Sequence, residues 1–137
     1  MKPHHRLIEL KEIADARGKL AFAQDGDHIP FPVRRIFMLY GMPEGTARGG
    51  HAHRAQHQLL MMMAGACTVS IDDGESVSSV RLDRPNHLLH APPMLWLDLK
   101  DFSSGAVCEV LASGLYDGAD YIRDQAEFRR LALARRR

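Results

Sequence analysis

The chain has 137 residues, a length that one globular domain with its own hydrophobic core can fill. Its formal net charge of +1 argues against a nucleic-acid-binding protein, and no apolar stretch approaches the roughly 18 residues of a transmembrane helix. We therefore expect a single domain over residues 1–137 in the cytoplasm, with no nucleic-acid or membrane partner and with the basic end 135–137 in solvent.

Short apolar runs separated by Gly, Pro and Asp follow one another along most of the chain, a pattern typical of all-β proteins. The predicted strands are 7–13, 19–23, 33–40, 57–63, 66–71, 77–82, 88–90, 94–99 and 106–112. The Asp73-Gly74 dipeptide predicts a tight hairpin turn between two of them, because such turns favour positive φ. About nine strands fit either a closed barrel or a two-sheet sandwich, and the strand pattern does not separate these two architectures.

Two other segments complete the pattern. A glycine-rich loop is predicted over 41–50, and beyond residue 118 the spacing of the apolar residues changes. Tyr121, Ile122, Phe128 and Leu131 have the spacing of a helix of three or four turns. We expect this C-terminal helix to pack on the strands.

The two cysteines, Cys67 and Cys108, stand far apart in sequence, and each lies in an apolar segment. Neither has a second cysteine at the short spacing that zinc-binding pairs show. We expect both to be buried core thiols.

The segment from Arg48 to His53 carries the strongest functional signal. On a strand, His51 and His53 point to the same face because they are two residues apart. Burying two imidazoles is costly unless their ring nitrogens find partners, so this pattern favours a built site. The alternative is an exposed polar strand face.

The spacing around these histidines matches the first motif of the cupins: His-x-His, four residues, a carboxylate, six residues, then Gly. Gly65 is in register, and Gln58 stands where the carboxylate is expected. The second cupin motif normally adds a histidine after a proline, and 92–97 has none. Two imidazoles and an amide are a poor ligand set for Zn²⁺, Fe²⁺ or Mn²⁺, although His57 or His90 would be further candidate ligands.

A metal-free pocket leaves an imidazole available as a general base or acid near neutral pH. Basic residues at its rim suit a phosphorylated or nucleotide-linked ligand. We therefore predict a site with neither a metal ion nor another cofactor.

At the level of the whole chain, the sequence resembles the sugar 3,4-ketoisomerases that act on dTDP-4-keto-6-deoxyglucose, a metal-independent cupin family. The matching residues are Asp15, Arg17, Gly18, Leu20, Ile29-Pro30-Phe31, Arg34-Arg35, Arg48-Gly49, His51, His53, Gln58, Asp72-Asp73-Gly74, Trp96, Asp101-Phe102-Ser103, Val110 to Ser113, Tyr116-Asp117 and Asp120 to Arg123. The resemblance implies a single cupin domain, a jelly-roll-like β-barrel with a short C-terminal helix. It also implies a homodimer, the usual state of that family.

The resemblance assigns the catalytic roles to the two histidines. His51 would remove the proton from C3 of the 4-keto sugar, giving an enediol(ate) that is reprotonated at C4 to leave the ketone at C3. His53 would assist the proton transfer or hold the sugar.

The same resemblance implies five substrate-binding residues. Arg35 and Arg48 would contact the diphosphate, and Arg17 matches the branch of the family that gives the galacto-configured 3-keto product. Gln58 and Trp96 would line the pocket, the alternatives being a buried hydrogen-bonded amide and a core aromatic residue.

Two departures from the family pattern affect the predicted activity. Phe37 stands where the family usually has a tyrosine, a natural proton donor, and Tyr40 falls on the opposite face of the strand. Leu97 replaces a residue that is usually polar or basic. A catalytically silent, nucleotide-sugar-binding cupin is therefore the alternative function, while Gln58 and Leu97 disfavour a metal-dependent oxygenase.

Overall fold

The computed structural model describes residues 2–136, so Met1 and Arg137, the two ends of the predicted domain, lie outside the described residues. The described chain forms twelve β-strands, one short 3-10 helix and one α-helix. The strands are β1 (Arg6–Glu9), β2 (Ile13–Asp15), β3 (Gly18–Leu20), β4 (Arg35–Leu39), β5 (Arg48–His53), β6 (Gln58–Ala64), β7 (Cys67–Asp72), β8 (Val77–Leu82), β9 (His87–Ala91), β10 (Trp96–Lys100), β11 (Val107–Ala112) and β12 (Tyr121–Ile122). The 3-10 helix is Gly118–Asp120, and the α-helix, α1, is Gln125–Ala134.

Ten of the strands form two five-stranded antiparallel sheets, and β2 and β3 form a separate hairpin. The first sheet has the order β1-β9-β6-β11-β4, and the second has the order β12-β5-β10-β7-β8. The predicted all-β fold with a C-terminal helix is confirmed. The jelly-roll-like arrangement that the resemblance implies is confirmed as well. Of the two architectures that the strand pattern left open, the sheets are not closed into a barrel, since no strand ladder within residues 2–136 joins one sheet to the other.

The main hydrophobic core fills the space between the two sheets. In β7 the side chains of Cys67, Val69 and Ile71 are buried and alternate with more exposed ones, as expected for a strand with one face on the core. Each such fully buried aliphatic side chain contributes about 1.5–3 kcal/mol. Cys67 and Cys108 are both free and fully buried, so their prediction as core thiols is confirmed.

The predicted C-terminal helix begins later than expected. Tyr121 and Ile122 are not helical but form β12, which pairs with β5. The helix begins only after Asp124, whose carboxylate accepts hydrogen bonds from the backbone N–H groups of Ala126 and Glu127 and so caps it. Because side chains alternate along a strand, Tyr121 and Ile122 point to opposite faces.

A second, smaller core holds α1 against the outer face of the second sheet. Phe128 is fully buried there beside Ile122 and Trp96, with the Phe128 and Trp96 ring centroids 5.9 Å apart. This packing fixes β12 at the sheet edge and thereby places the residues on either side of it.

The segment predicted as a glycine-rich loop over 41–50 ends earlier, because β5 already begins at Arg48. Gly49 has a φ of +90°, and a Cβ there would lie 2.7 Å from the carbonyl oxygen of Leu97. The pairing of β5 with β10 also shifts register between Leu97 and Asp98. Glycine thus allows the close approach of these two strands, and this approach sets the position of His51.

The predicted hairpin between β7 and β8 is confirmed, but its turn has four residues, 73–76. The Asp73 side chain accepts hydrogen bonds from the backbone N–H groups of Glu75 and Ser76, which closes this longer turn. Of the residues that the structure describes, none belongs to a helix long and apolar enough to cross a membrane.

Candidate active site

A cavity of about 320 Å³ opens at one end of the space between the two sheets. Four of the predicted site residues line it: Arg35 from β4, Arg48 and His51 from β5, and Gln58 from β6. His53 lies just behind this wall, only 5% exposed. The folded chain therefore brings together five residues that the sequence analysis singled out.

His51 is half-buried, and its ring contacts two other aromatic rings edge-on. The centroid distances are 5.2 Å to His53 and 4.9 Å to Tyr121. Burial lowers the pKa of His51 to about 4, and the positive charges of His53 and Arg123 lower it further. A hydrogen bond with the backbone of Gly49 and the carboxylate of Asp98 act in the opposite direction. At neutral pH His51 is thus an uncharged imidazole that can accept a proton.

His53 is the centre of a buried hydrogen-bonded chain. Its Nδ1 lies 2.8 Å from Asp120 Oδ2, and its Nε2 lies 3.0 Å from Gln58 Nε2. The amide of Gln58 donates to Nε2, so Nδ1 carries the hydrogen that is donated to the carboxylate. Burial lowers the pKa of His53 although the Asp120 carboxylate opposes the shift. With both nitrogens engaged, His53 is suited to hold its neighbour His51 and poorly suited to ligate a metal.

Asp120 anchors this hydrogen-bonded chain. The sequence predicted no functional role for it beyond its place in the family pattern. Besides His53, its carboxylate accepts hydrogen bonds from the backbone N–H groups of Ala55 at 2.8 Å and Gln56 at 3.4 Å. It ends the 3-10 helix, whose N-cap is Asp117. The Asp-x-x-Asp spacing just before Tyr121 is the local sequence signal that could have identified Asp120 as a site residue.

Three guanidinium groups, those of Arg35, Arg48 and Arg123, line the cavity. Arg35 donates from Nη2 to the side-chain oxygen of Gln56 at 3.1 Å, while its Nε is buried without a hydrogen-bond partner among the described residues. Arg123, which the sequence analysis did not select, lies over the ring of Tyr121 at 4.3 Å from its centroid. This concentration of positive charge suits an anionic ligand such as a diphosphate.

The rest of the cavity wall is mostly apolar, and it includes both positions that depart from the family pattern. Phe37 and Leu97 both line the cavity. Leu97 pairs with His51 in the ladder between β10 and β5, so these two side chains share a face. Tyr40 is 71% exposed and lies outside the cavity, as the strand parity predicts.

Trp96 does not line the cavity, which corrects that expectation. It is 5% exposed, it packs on Phe128 in the second core, and its Nε1 donates to Asp98 Oδ2 at 3.0 Å. Since Leu97 faces the cavity, the neighbouring Trp96 must face the other side of the sheet. Its alternative interpretation as a core aromatic residue agrees with this packing.

Arg17 does not join the cavity of its own chain either. It lies in the exposed β2–β3 hairpin, where its guanidinium pairs with Asp15 at 2.6 Å. His57 and His90, the further candidate metal ligands, stack on each other beside Phe31 and also lie outside the cavity wall.

Comparison with known proteins places this chain in a family. The family model described as "FdtA: WxcM-like, C-terminal" matches residues 3–132. The TDP-4-oxo-6-deoxy-alpha-D-glucose-3,4-oxoisomerase of Aneurinibacillus thermoaerophilus is 36% identical over 126 residues, which are 92% of this chain and 91% of the relative.

Solved structures of similar proteins agree. The sugar 3,4-ketoisomerase QdtA from Thermoanaerobacterium thermosaccharolyticum, in complex with TDP, superposes with a TM-score of 0.91 at 31% identity over 96% of each chain. A 3,4-ketoisomerase from Helicobacter canadensis has a TM-score of 0.90 at 36% identity, over 94% of this chain and 97% of the other. The chain therefore belongs to the FdtA family (WxcM-like, C-terminal), as the resemblance of its motifs to cupin-type sugar 3,4-ketoisomerases predicts.

Proposed function

We propose that this chain isomerises a dTDP-linked 4-keto-6-deoxyhexose to the corresponding 3-keto sugar in deoxysugar or aminosugar biosynthesis. The observation that carries this proposal is the uncharged His51 at the wall of a cavity with three guanidinium groups. Its ring packs edge-on against His53, which the buried hydrogen bonds to Asp120 and Gln58 hold in place. The names of the relatives, which are 3,4-ketoisomerases, support the same reaction and the same class of nucleotide sugar.

The chemistry follows from the acidity of a C–H bond beside a ketone. His51 takes the proton from C3, the electron pair of that bond forms a C3=C4 double bond, and negative charge develops on O4. Reprotonation at C4 and loss of the O3 proton leave the ketone at C3. Arg35 and Arg48 hold the diphosphate, and the remote binding energy of this clamp orients the sugar over His51.

The alternative is a catalytically silent cupin that binds the nucleotide sugar. The apolar cavity wall at Phe37 and Leu97 favours it, because neither side chain can donate a proton or a hydrogen bond to the sugar. Both functions need the same nucleotide-binding residues, so only a test of proton transfer separates them.

Incubation with dTDP-4-keto-6-deoxyglucose in deuterium oxide, followed by NMR, is the experiment that tests the isomerase. We expect deuterium at C4 of the 3-keto product and partial exchange at C3 of the recovered substrate, because the proposed intermediate equilibrates with solvent. The free 6-deoxy-4-keto sugar is the control, and it should react far more slowly because it lacks the diphosphate. Absence of exchange on every dTDP-4-keto sugar offered would reject the isomerase in favour of the silent binder.

The pH dependence of kcat/KM should reflect the lowered pKa of His51, about 4 in the folded chain. The base must be unprotonated, so kcat/KM should change by less than about twofold between pH 8 and pH 5.5. An imidazole of ordinary pKa, near 6.5, would instead lose roughly tenfold by pH 5.5. Circular dichroism at each pH would verify that the protein stays folded, and an acid limb with its midpoint near 6.5 would contradict the proposed base.

We also propose a homodimer in which the β2–β3 hairpin packs on a second copy. Its two strands pair only with each other within the described chain, and Ile13 and Leu20 are 49% and 57% exposed. The strand β4 is an edge strand whose outward residues Ile36 and Met38 are also exposed apolar side chains. Because the inward face of β4 lines the cavity, a hairpin paired along the free edge of this strand would lie next to the partner's cavity, and we propose that Arg17 reaches the substrate from there.

Sedimentation tests this assembly. We expect twice the 15.4 kDa mass of one chain at micromolar concentration, and a shift toward one chain when Ile13→Asp and Leu20→Asp are combined. The control is Val77→Asp, an equally exposed apolar position on β8, which should leave the dimer intact. A single 15.4 kDa species for the natural protein would overturn the dimer. An unchanged kcat/KM for Arg17→Ala would remove this residue from the substrate site.

A further inference from the structure

The cavity wall includes one tyrosine whose ring lies close to that of the proposed base, and the reaction proposed above gives it no role. Phe37 occupies the position at which a tyrosine is usual in the resembling family, and Tyr40 lies outside the cavity. Among the described residues that line this cavity, Tyr121 alone carries a hydroxyl. Its phenol is therefore the one conventional side-chain acid on the wall besides an imidazole.

The backbone fixes Tyr121 beside the histidines. In the ladder between β12 and β5, Tyr121 pairs directly with His53, so the two side chains share one face of the sheet. The ring centroid of Tyr121 is 4.4 Å from that of His53 and 4.9 Å from that of His51. The side chain is half-buried, and Ile122, its neighbour in the strand, is locked in the second core.

A cation lies over the same ring. The guanidinium of Arg123 is 4.3 Å from the ring centroid of Tyr121 and also lines the cavity. A guanidinium at this distance makes a cation–π contact, which holds the ring in place at the cavity wall. Tyr121 is thus held between the histidines and Arg123, beside the proposed base.

We propose that Tyr121 is a second catalytic residue, the acid that delivers the proton to C4 of the sugar. This inference rests on the proposed isomerase function and assigns its reprotonation step to a group other than His51. The apolar substitution at Phe37 is then compatible with turnover, because the required phenol comes from β12.

The proton transfers balance without any added reagent. His51 removes the proton from C3, and the electron pair of the C3–H bond forms the C3=C4 bond while the carbonyl electrons move to O4. The O3 proton passes to the neighbouring O4, which moves the negative charge to O3. The C3–O3 bond then becomes the new carbonyl, and the electron pair of the C3=C4 bond takes the phenolic proton of Tyr121 at C4. No oxidant, reductant or co-reactant is consumed.

The enzyme is then restored by one further proton transfer. The steps leave a His51 imidazolium and a Tyr121 phenolate, whose rings lie 4.9 Å apart. A proton passes between them, directly or through water in the open cavity, and both groups return to their uncharged forms. The contact between these two rings therefore explains how separate acid and base groups regenerate each other.

Tyr121→Phe tests the proposal, because it removes only the hydroxyl and keeps the ring that packs on the histidines. We expect formation of the 3-keto product to fall by about 10² to 10⁴. Exchange of the C3 hydrogen of the substrate in deuterium oxide should stay within about threefold of the natural protein, since His51 is unchanged. The matched control is Tyr40→Phe, at a tyrosine that is 71% exposed and lies outside the cavity, for which both rates should stay unchanged.

Two results would overturn the assignment of Tyr121. One is product formation by Tyr121→Phe at a rate within threefold of the natural protein. The other is an equal loss of product formation and of C3 exchange, which would make Tyr121 a residue that only positions His51. Failure of the proposed isomerase function is distinguishable, since the natural protein itself would then show no exchange at C3.

The source of the new hydrogen gives an independent readout. Substrate deuterated at C3 and converted in ordinary water should give product with hydrogen from solvent at C4, because the phenolic proton exchanges with water. Deuterium carried from C3 to C4 would place both transfers on His51 and reject the role of Tyr121.

Discussion

Replacement of His51 by Asn is expected to lower turnover of dTDP-4-keto-6-deoxyglucose by about 10² to 10⁴, the usual contribution of a positioned proton-transfer group. The amide of Asn occupies similar space and keeps a polar contact, but it cannot accept a proton from carbon. Because the guanidinium groups of Arg35 and Arg48 are untouched, the affinity for dTDP should change by less than about twofold. The signature is therefore a loss in kcat without a loss in nucleotide binding.

This experiment separates a base from a residue that merely shapes the cavity. Exchange of the C3 hydrogen should disappear together with turnover, because both begin with the same proton abstraction. The control is His4→Asn, at an exposed histidine outside the cavity, for which turnover should be unaffected. Calorimetry with dTDP supplies the binding readout. Turnover of His51→Asn within a few-fold of the natural protein would exclude His51 as the base.

The part of the site that could be predicted from the sequence is the part set by local geometry. His51 and His53 share a face because side chains alternate along any strand, and this holds whatever the rest of the fold does. The spacing to Gln58 places the amide on the next strand of the chain, where it meets His53 at 3.0 Å. Burial of Cys67 and Cys108 follows equally from their apolar surroundings.

The remaining part depends on contacts between residues far apart in sequence. Asp120 meets His53 across 67 positions, and Tyr121 reaches the histidines only because β12 pairs with β5. Tyr121 and Ile122 form too short an apolar run to tell a strand from a helix, so the spacing to Phe128 favoured the wrong assignment. The cap at Asp124 is the signal that marks the true helix start.

The positions of Trp96 and Arg17 show two further limits. Trp96 and Leu97 are adjacent apolar residues, and strand parity alone does not say which of them faces the cavity. The pairing of Leu97 with His51 decides which of the two residues faces the cavity. This pairing lies next to a register shift, and such a shift has no simple sequence signal. Arg17 lies on a hairpin that makes its ion pair within itself, so its predicted role at the substrate depends on a second copy.

Replacement of Asp120 by Asn should destabilise the protein by about 1–3 kcal/mol, because it leaves a buried donor without an acceptor. The carboxylate accepts from His53 Nδ1, Ala55 N and Gln56 N, whereas an amide has a single acceptor oxygen. If that oxygen keeps the Ala55 N–H, the new NH₂ group faces the hydrogen on His53 Nδ1. His53 must then change tautomer, and its Nε2 hydrogen meets the donating amide of Gln58.

The loss of orientation should also lower kcat, because His53 packs on the ring of His51. We expect roughly 10- to 100-fold, by analogy with the partners that orient metal-ligating histidines. Urea unfolding at constant m-value measures the stability change, and the isomerisation assay measures kcat. A second substitution, Gln58→Glu, provides the decisive comparison. When the amide introduced by Asp120→Asn donates to Nδ1 of His53, a carboxylate at position 58 can accept the hydrogen on Nε2, so the hydrogen-bonded chain runs in the opposite direction.

We therefore expect the Asp120→Asn, Gln58→Glu double variant to recover at least half of the stability lost by Asp120→Asn alone. The coupling of the two changes would be non-additive, as it is for residues of one hydrogen-bond network. The single variant Gln58→Glu is the matched control, and it should be destabilised because two carboxylates would then flank one imidazole. Strictly additive losses of stability in the double variant would contradict this coupling through His53. Asp120 would then stabilise the protein only through its hydrogen bonds with the backbone.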